Sequence, residues 1–503
     1  ITRPRRFGKT LNMDMLKCFF SNQYEGRKEL FEGLGIWKDE EYRKLQGTYP
    51  VIFLSFAGIK QTEYSKAVTM IKNEITDIYN KYDYIMKSDL YNDNEKIQFK
   101  SVCPDMSDEI AQKAINDLSN YLSRYYGKKV IIILDEYDTP MQEAYVNGYW
   151  DELVAFTRSL FNLTFKTNPY LERGMMTGIT RVSKESIFSD LNNLVVITTT
   201  SNQYNTAFGF TEEEVFTALD EQGISDEKEK VKEWYDGFTF GDKKDIYNPW
   251  SIINYLKFKK YETYWADSSS NRLVNELIRT GSAEIKNTME TLMAGGTVEK
   301  NIDEQIVFEQ LKTNKDAVWS LLLASGYLRI EEFRTEGRLN KKIYSLKLTN
   351  YEVEQMFGTM IERWFGGADV PYNEFINAML SGDIESMNEY MNRVTRGVIS
   401  YFDTGKTPSD EEPERFYHGL VLGLMVDQVD NYILSSNRES GFGRYDIMLE
   451  PIDKNNEKLP GIVIEFKVFN QKKEDTLEET VKNALRQIKE KDYDAELIKR
   501  GVK

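Results

Sequence analysis

A chain of 503 residues, 41% apolar and 13% aromatic, can bury sizeable cores in two to four domains of ~100–200 residues each, which excludes a disordered polymer. A net charge of −16 argues against a protein that coats itself with nucleic acid, so any such contact must be a local basic cleft on an acidic body. A single histidine, His418, and two cysteines, Cys18 and Cys103, argue against zinc sites built from histidine clusters, a Ser-His-Asp triad and a disulfide framework. Metal must then be held by oxygen, which favours magnesium or manganese, and a reducing, cytoplasmic compartment is expected.

The chain lacks an initiator Met and opens within a strand-like segment, so it reads as a fragment. Arg3-Pro4-Arg5-Arg6-Phe7-Gly8-Lys9-Thr10 then closes on Gly-Lys-Thr ahead of a helix-compatible stretch, Leu11 to Phe20. In a phosphate loop, backbone N–H groups at a helix N-terminus wrap a β-phosphate. Gly8 allows close approach, Lys9 reaches the β- and γ-phosphates, and the Thr10 hydroxyl binds magnesium. Arg3 stands where the usual pattern has glycine, and Pro4 removes a donor.

Pro50 to Phe56 predicts a strand, and Ile110 to Tyr126 a helix ending at Gly127. Val130 to Leu134 predicts a buried parallel strand, and Asp135-Glu136 follow it directly. There Asp135 is placed to hold magnesium and Glu136 to polarise an attacking water. Gly174 to Val182 is a further candidate strand, carrying Thr177 and Thr180 to sense a γ-phosphate and Arg181 to steady transition-state charge. Strand–helix alternation over the first 240 or so residues predicts an α/β fold with a parallel sheet.

Thr211 and Glu214 make a capping box. Helices dominate from about 250 to 370, with a hairpin near 327–348, the pattern of a winged-helix-like module. Residues 371–405 read as helical and Thr404 to Pro413 as a loop. No apolar run approaches the ~18 residues of a membrane span, so no membrane partner is expected.

The last 90 or so residues read helix, strand, strand, helix. Glu414 opens the first helix, with Phe416, Leu420, Leu424 and Met425 on its apolar stripe and His418 one turn on. Asp446 opens a short strand to Leu449, and Ile462 to Val468 is the next. Side chains two apart on a strand share a face, so Glu465 and Lys467 point together while Ile464, Phe466 and Val468 face a core. Pairing the two strands would bring Asp446 beside Glu465, a pair able to hold metal while Lys467 orients water or balances charge. Leu477, Val481, Ala484, Leu485 and Ile488 recur at helical spacing on a final helix bearing Gln487.

The phosphate loop from Arg3 to Leu11, Leu134 to Asp138, Ile187-Phe188-Ser189, Asn192-Asn193-Leu194, Gly209-Phe210-Thr211 and Tyr235-Asp236-Gly237-Phe238 together resemble the bacterial AAA-ATPase-like family over roughly residues 1–270. The resemblance implies an AAA-type ATPase core, an arginine-rich loop in place of the glycine-rich one, and a helical or winged-helix segment from Tyr247-Asn248-Pro249-Trp250. Glu414, Asp446, Glu465-Phe466-Lys467 and Gln487, in that order, resemble the PD-(D/E)XK nuclease fold over roughly 375–503.

The expected organisation is thus an AAA-type P-loop ATPase domain at 1–245, a helical or winged-helix-like segment at 246–370 and a PD-(D/E)XK-like domain at 371–503. Arg5, Arg6, Phe7, Gly8, Lys9, Thr10, Leu11 and Asp135 would bind ATP, and Glu136 and Arg181 would act in its hydrolysis. Magnesium would sit at Thr10 and Asp135. A second magnesium, or manganese, would sit at Asp446 and Glu465, with Lys467, Glu414 and Gln487 completing that site. Nucleic acid, DNA ahead of RNA, is the expected substrate, and the oligomeric state stays open. The rival reading is a nucleotide-dependent switch or assembly protein whose nuclease-like domain serves binding alone.

Overall fold

In the computed structural model, the described residues are 1–180, 191, 193–268, 272–279, 283–293, 295–303, 311, 316–337, 341–365, 373–399, 431–436, 439–440, 443–444, 446–454, 456, 459–467 and 476–502. They divide into two compact units: 1–273 with 297–353, and 274–296 with 354–503. Arg181, Glu414, His418 and the expected loop Thr404 to Pro413 lie outside the described residues.

The first unit is built on a parallel sheet. Helix α1 (Lys9–Phe20) leaves the phosphate loop. Strand β1 (Val51–Ser55) and helices α2 (Tyr64–Lys81) and α3 (Asp108–Tyr126) follow, then β2 (Val130–Asp135). Ser107 caps α3 by accepting from the Ile110 N–H, and Gly127 ends it at φ 65°, a left-handed cap that glycine adopts without strain.

Strand β2 is buried at every position, as its run of β-branched residues and leucine requires of a strand covered on both faces. It pairs in parallel with β1, Val51 opposite Ile131 through Ser55 opposite Asp135. On its other side it pairs in parallel with β3 (Leu171–Met176). Beyond β3, Thr2 makes a parallel bridge to Gly178, and its N–H donates to the Ile197 carbonyl. β3 therefore stands between the acid-bearing β2 and the chain that enters the phosphate loop. Met13 of α1 packs with Val51, Ile131 and Ile133 beneath that loop.

The strand expected from Gly174 to Val182 lies earlier, at Leu171–Met176. Its pairing with β2 ends at Leu134–Met176, and the hydroxyls of Thr177 and Thr180 turn instead to buried carboxylates.

Helix α4 (Glu212–Glu221) opens with the expected capping box, Thr211 N–H donating to Glu214 and Glu214 N–H to the Thr211 hydroxyl. Helix α5 (Lys228–Tyr235) leads into the hairpin β4 (Phe238–Phe240) and β5 (Lys243–Tyr247), with the short strand Phe210–Thr211 on the far edge of β5. Val215, Leu219, Val231, Tyr235, Tyr247, Ile252 and Tyr255 form the core they share with α6 (Pro249–Phe258). Gly237, at φ 114°, closes a tight approach: a Cβ there would lie 2.0 Å from the Thr349 carbonyl oxygen.

Helix α7 (Ala317–Ala324) precedes the expected hairpin, β6 (Leu328–Glu336) and β7 (Lys341–Leu348), with Val298–Lys300 paired to the other edge of β7. Helix α8 (Tyr351–Phe365) follows; residues 354–503, with 274–296, make up the second unit.

There, α9 (Asn373–Ser381) and α10 (Ile384–Ile399) carry Phe375, Ile376, Met379 and Tyr390 into a core with Tyr432, Ile447 and Leu449. Those last residues belong to the antiparallel sheet β8 (Tyr432–Ser436), β9 (Ile447–Pro451) and β10 (Ile462–Ile464), in the order β8-β9-β10. The strand expected to run to Val468 stops at Ile464, because the Phe466 N–H donates to the Asp446 carboxylate, 2.8 Å, rather than to a ladder partner. The last long helix is α11 (Leu477–Glu490), capped by Thr476. Of its apolar stripe, Ile488 packs against Met448, Tyr493 and Leu497, whereas Leu477, Val481 and Leu485 are exposed.

Candidate functional site

In the first unit, Gly8 caps α1 at φ 77°, and its carbonyl accepts both the N–H and the side-chain amide of Asn12. Lys9 is buried, and its ammonium donates to the carbonyls of Arg3 (3.1 Å) and Pro4 (2.9 Å). The lysine thus spans the loop from below. Burial pushes it below the ordinary lysine range, while the carboxylates of Glu136, Asp138 and Asp135 pull the other way.

The Arg5 carbonyl is held from outside by Asn248 Nδ2 (3.2 Å) and Trp265 Nε1 (2.9 Å). In a planar trans peptide the next N–H points the opposite way, so this anchor aims the Arg6 amide off the outer wall. Phe7 is buried, edge-on to Phe238 (4.8 Å) and Phe240 (5.3 Å). Leu11 is exposed on the first turn of α1.

Thr10 and Asp135, 125 residues apart, meet: the hydroxyl donates to Asp135 Oδ2 at 2.7 Å. Thr177 donates to Asp135 Oδ1 at 2.6 Å. Asp135 is fully buried, yet both its oxygens have hydroxyl partners. Hydroxyl and carboxylate oxygens drawn together beside a lysine are an all-oxygen donor set that fits magnesium. Glu136, next along, has φ 51°, a left-handed conformation that strains a non-glycine residue and recurs at functional sites. Its carboxylate accepts from the Thr139 hydroxyl at 3.1 Å.

Two residues of this neighbourhood carry no assigned role in the sequence analysis. Asp138, buried, accepts from the N–H groups of Ile179 and Thr180 and from the Thr180 hydroxyl (2.8–3.0 Å), pinning the turn after β3. Arg3 is fully buried and donates to the carbonyls of Thr2, Thr198, Gln203 and Tyr204, with its guanidinium 4.5 Å from the centre of the Phe240 ring. Burial lowers its pKa to about 10. Asp138 lies four residues after Leu134, beyond the end of the hydrophobic run, a spacing that gives no warning of its partners.

A separate acid cluster joins Glu212, Asp236 and Asp245, with one carboxylate oxygen of each within 4.8 Å of the others. Lys232 pairs with Glu212 and lies 3.7 Å from Asp245, supplying positive charge. Burial, with Asp245 beside it, pushes the Asp236 carboxyl up to about 7.

In the second unit, β9 and β10 pair with Ile447 opposite Ile464. The same register carried one residue further sets Asp446 across from Glu465. The Glu465 side chain is only 3% exposed, and its Oε1 accepts from Lys467 (2.9 Å) and from Gln487 Nε2 (2.6 Å). Gln487 also donates to the Tyr493 hydroxyl at 2.9 Å. Asp446, Glu465, Lys467 and Gln487 are therefore brought together at one end of the sheet. Two acids, both offering oxygen, form a donor set that fits magnesium or manganese.

Comparison with known proteins finds a family match at each end of the chain. Residues 1–188 match the predicted AAA-ATPase family model, and residues 412–503 match the PD-(D/E)XK nuclease superfamily model. A relative described as an uncharacterised protein in the vnfD 5′ region of Azotobacter chroococcum mcd 1 is 23% identical over 355 residues, 70% of this chain. The chain spans 61% of that relative's length. Among the described residues, no helix is long and apolar enough to cross a membrane. The chain carries a predicted AAA-ATPase-like domain at its N-terminus and a PD-(D/E)XK nuclease superfamily domain at its C-terminus.

Proposed function

We propose that this chain binds and hydrolyses ATP at the phosphate loop and couples that reaction to metal-dependent cleavage of a nucleic-acid phosphodiester, with DNA as the preferred substrate and RNA as the alternative. The observation that carries the reading is the convergence of Lys9, Thr10 and Asp135 from distant segments, with the Thr10 hydroxyl 2.7 Å from the carboxylate at the end of a buried strand.

In the nucleotide reaction, amides from Arg5 to Leu11 hold the phosphates and Lys9 leaves its loop carbonyls to meet the β- and γ-phosphate charge. Thr10 and Asp135 would hold magnesium, which would offset charge on the phosphate oxygens. Glu136 orients the water that attacks the γ-phosphorus, and Arg181 steadies the charge that develops. In the second reaction, Asp446 and Glu465 would hold magnesium or manganese, which would supply an activated water and stabilise negative charge on the phosphate. Lys467 balances charge beside Glu465, Gln487 fixes that carboxylate, and Glu414 adds a further acid.

On this reading residues 1–245 are the ATPase, 246–370 a helical or winged-helix-like connector and 371–503 the nuclease, in a cytoplasmic protein whose assembly state the reading leaves open. A helix followed by a hairpin, α7 with β6 and β7, supports the connector.

A second reading has one observation in its favour. Glu465 already has a cation in Lys467 and a donor in Gln487, so that carboxylate is matched by side chains of the site itself. It could then serve as a binding surface driven by a nucleotide switch.

Cleavage of single- and double-stranded DNA and RNA, with magnesium or manganese and with or without ATP, separates the two. Metal-dependent cutting lost in Asp446→Ala, with an ATP effect lost in Lys9→Ala, is the expected result. ATP hydrolysis without any cutting would give the protein to the switch.

A further inference from the structure

The loop's three arginines have different surroundings. Arg3 is buried among carbonyls, and Arg5 reaches Gln142 at 3.4 Å. Arg6 is exposed and sits over the indole ring of Trp250, its guanidinium carbon 4.8 Å from the ring centre. Trp250 is 41% exposed although it is the second residue of α6. It is held near the loop by its neighbour: Asn248 caps α6, accepting from the Trp250 N–H at 2.9 Å, and the same side chain donates to the Arg5 carbonyl. Arg6 has φ 64°, a conformation an arginine adopts only when its surroundings enforce it.

A part-exposed indole with a guanidinium over its ring offers planar groups of the kind on which nucleobases stack. A nucleotide whose phosphates lie on the amides of this loop has its base tethered one ribose away, and α6 is a helix whose cap bonds the loop directly. We propose that Trp250 and Arg6 form the base platform of the nucleotide site, taking the purine of a nucleoside triphosphate. This rests on the phosphate-loop reading above and adds the residues that recognise the nucleoside end. Arg6 then acts through its side-chain plane as well as its amide. Trp250, which no phosphate contact requires, becomes a binding residue.

The test is calorimetric, on the full chain with magnesium, using ATP and inorganic tripolyphosphate as probes. Trp250→Ala should weaken ATP about tenfold and leave tripolyphosphate unchanged, because stacking is lost and phosphate contacts are kept. Trp250→Tyr, which keeps an aromatic face, should recover most of the ATP affinity and shows that the alanine result is not loss of fold. An equal loss for both probes would make Trp250 a brace for the loop and overturn the platform, as would no loss for ATP. If the unaltered chain binds neither probe, the phosphate-loop reading itself falls. If it binds both and Lys9→Ala abolishes both, that reading stands whatever Trp250 does.

Discussion

The two candidate sites use similar parts in different settings. Asp135 ends a strand buried along its whole length and flanked by strands on both sides. Its surroundings are pinned by residues that need not touch substrate: Asp138 under the turn at 179–180, Asn248 and Trp265 on the Arg5 carbonyl, Phe238 against Phe7. Glu465 lies just past β10, a strand of three half-buried residues, and its place is set by the candidate catalytic groups themselves. Asp446 holds the backbone at Phe466, and Lys467 with Gln487 holds the Glu465 carboxylate. In the first site most of the frame is supplied by residues outside the chemistry, Lys9 on the Arg3 and Pro4 carbonyls excepted. In the second, frame and chemistry coincide, so substitutions there should cost geometry and rate together.

The largest effect expected is at Asp446. Asp446→Ala should lower metal-dependent cleavage about a thousandfold, since it removes a metal ligand and frees the Phe466 amide together. ATP turnover should be unaffected, and a melting curve should show the second unit loosened. A variant that melts as before yet cannot cut would break the idea that frame and chemistry coincide. Lys9→Ala comes next, with ATP turnover down about a hundredfold as the phosphate charge loses its partner. Its thermal midpoint should hold, because the loop keeps its outer anchors; a collapse of the fold would count against a separate frame.

Gln487→Ala is expected to act more weakly, with cleavage down about tenfold and the metal concentration for half-maximal rate raised, as for a group that orients a ligand. An unchanged metal requirement would reduce Gln487 to packing against Tyr493.

The smallest effect concerns stability at Asp236. Its carboxyl is pushed up to about 7 in the folded chain, above its ordinary value of 3.8, so the folded state binds the extra proton between those values. Stability from this group is therefore fully present below about pH 4 and lost as pH rises through 7. Asp236→Asn, which cannot ionise, should stabilise the protein by on the order of 1–2 kcal/mol at pH 8 and by less at pH 5. Equal melting shifts at the two pH values would show that the Glu212–Asp236–Asp245 group titrates normally.

What could be read in advance was local. The β-branched run of β2, the Gly127 cap, the Thr211–Glu214 box and the Gly8-Lys9-Thr10 turn each announce themselves within a few residues. So did Glu465 with Lys467, through strand alternation. The contacts that fix the sites are long-range and left no such mark. Nothing in the sequence joins Thr2 to Gly178, or Asp138 to the amides of 179 and 180. The end of β10 was misjudged because period-two alternation continues past Ile464, whereas the amide at Phe466 is claimed by a carboxylate twenty residues earlier. Leu477, Val481 and Leu485 have the spacing of a core stripe and are exposed.

Arg3 bears on how such a loop can change over generations. At the position where phosphate loops usually begin with glycine, this chain has a cation serving the carbonyls of residues 2, 198, 203 and 204 and lying against the Phe240 ring. Arg3→Gly would make the motif look more conventional while stranding buried acceptors and opening a void. The apparent repair would be a lesion unless the 198–204 segment were rebuilt in the same step. Exchanging this loop for the glycine-led kind would therefore call for changes in the 198–204 segment along with the change at residue 3.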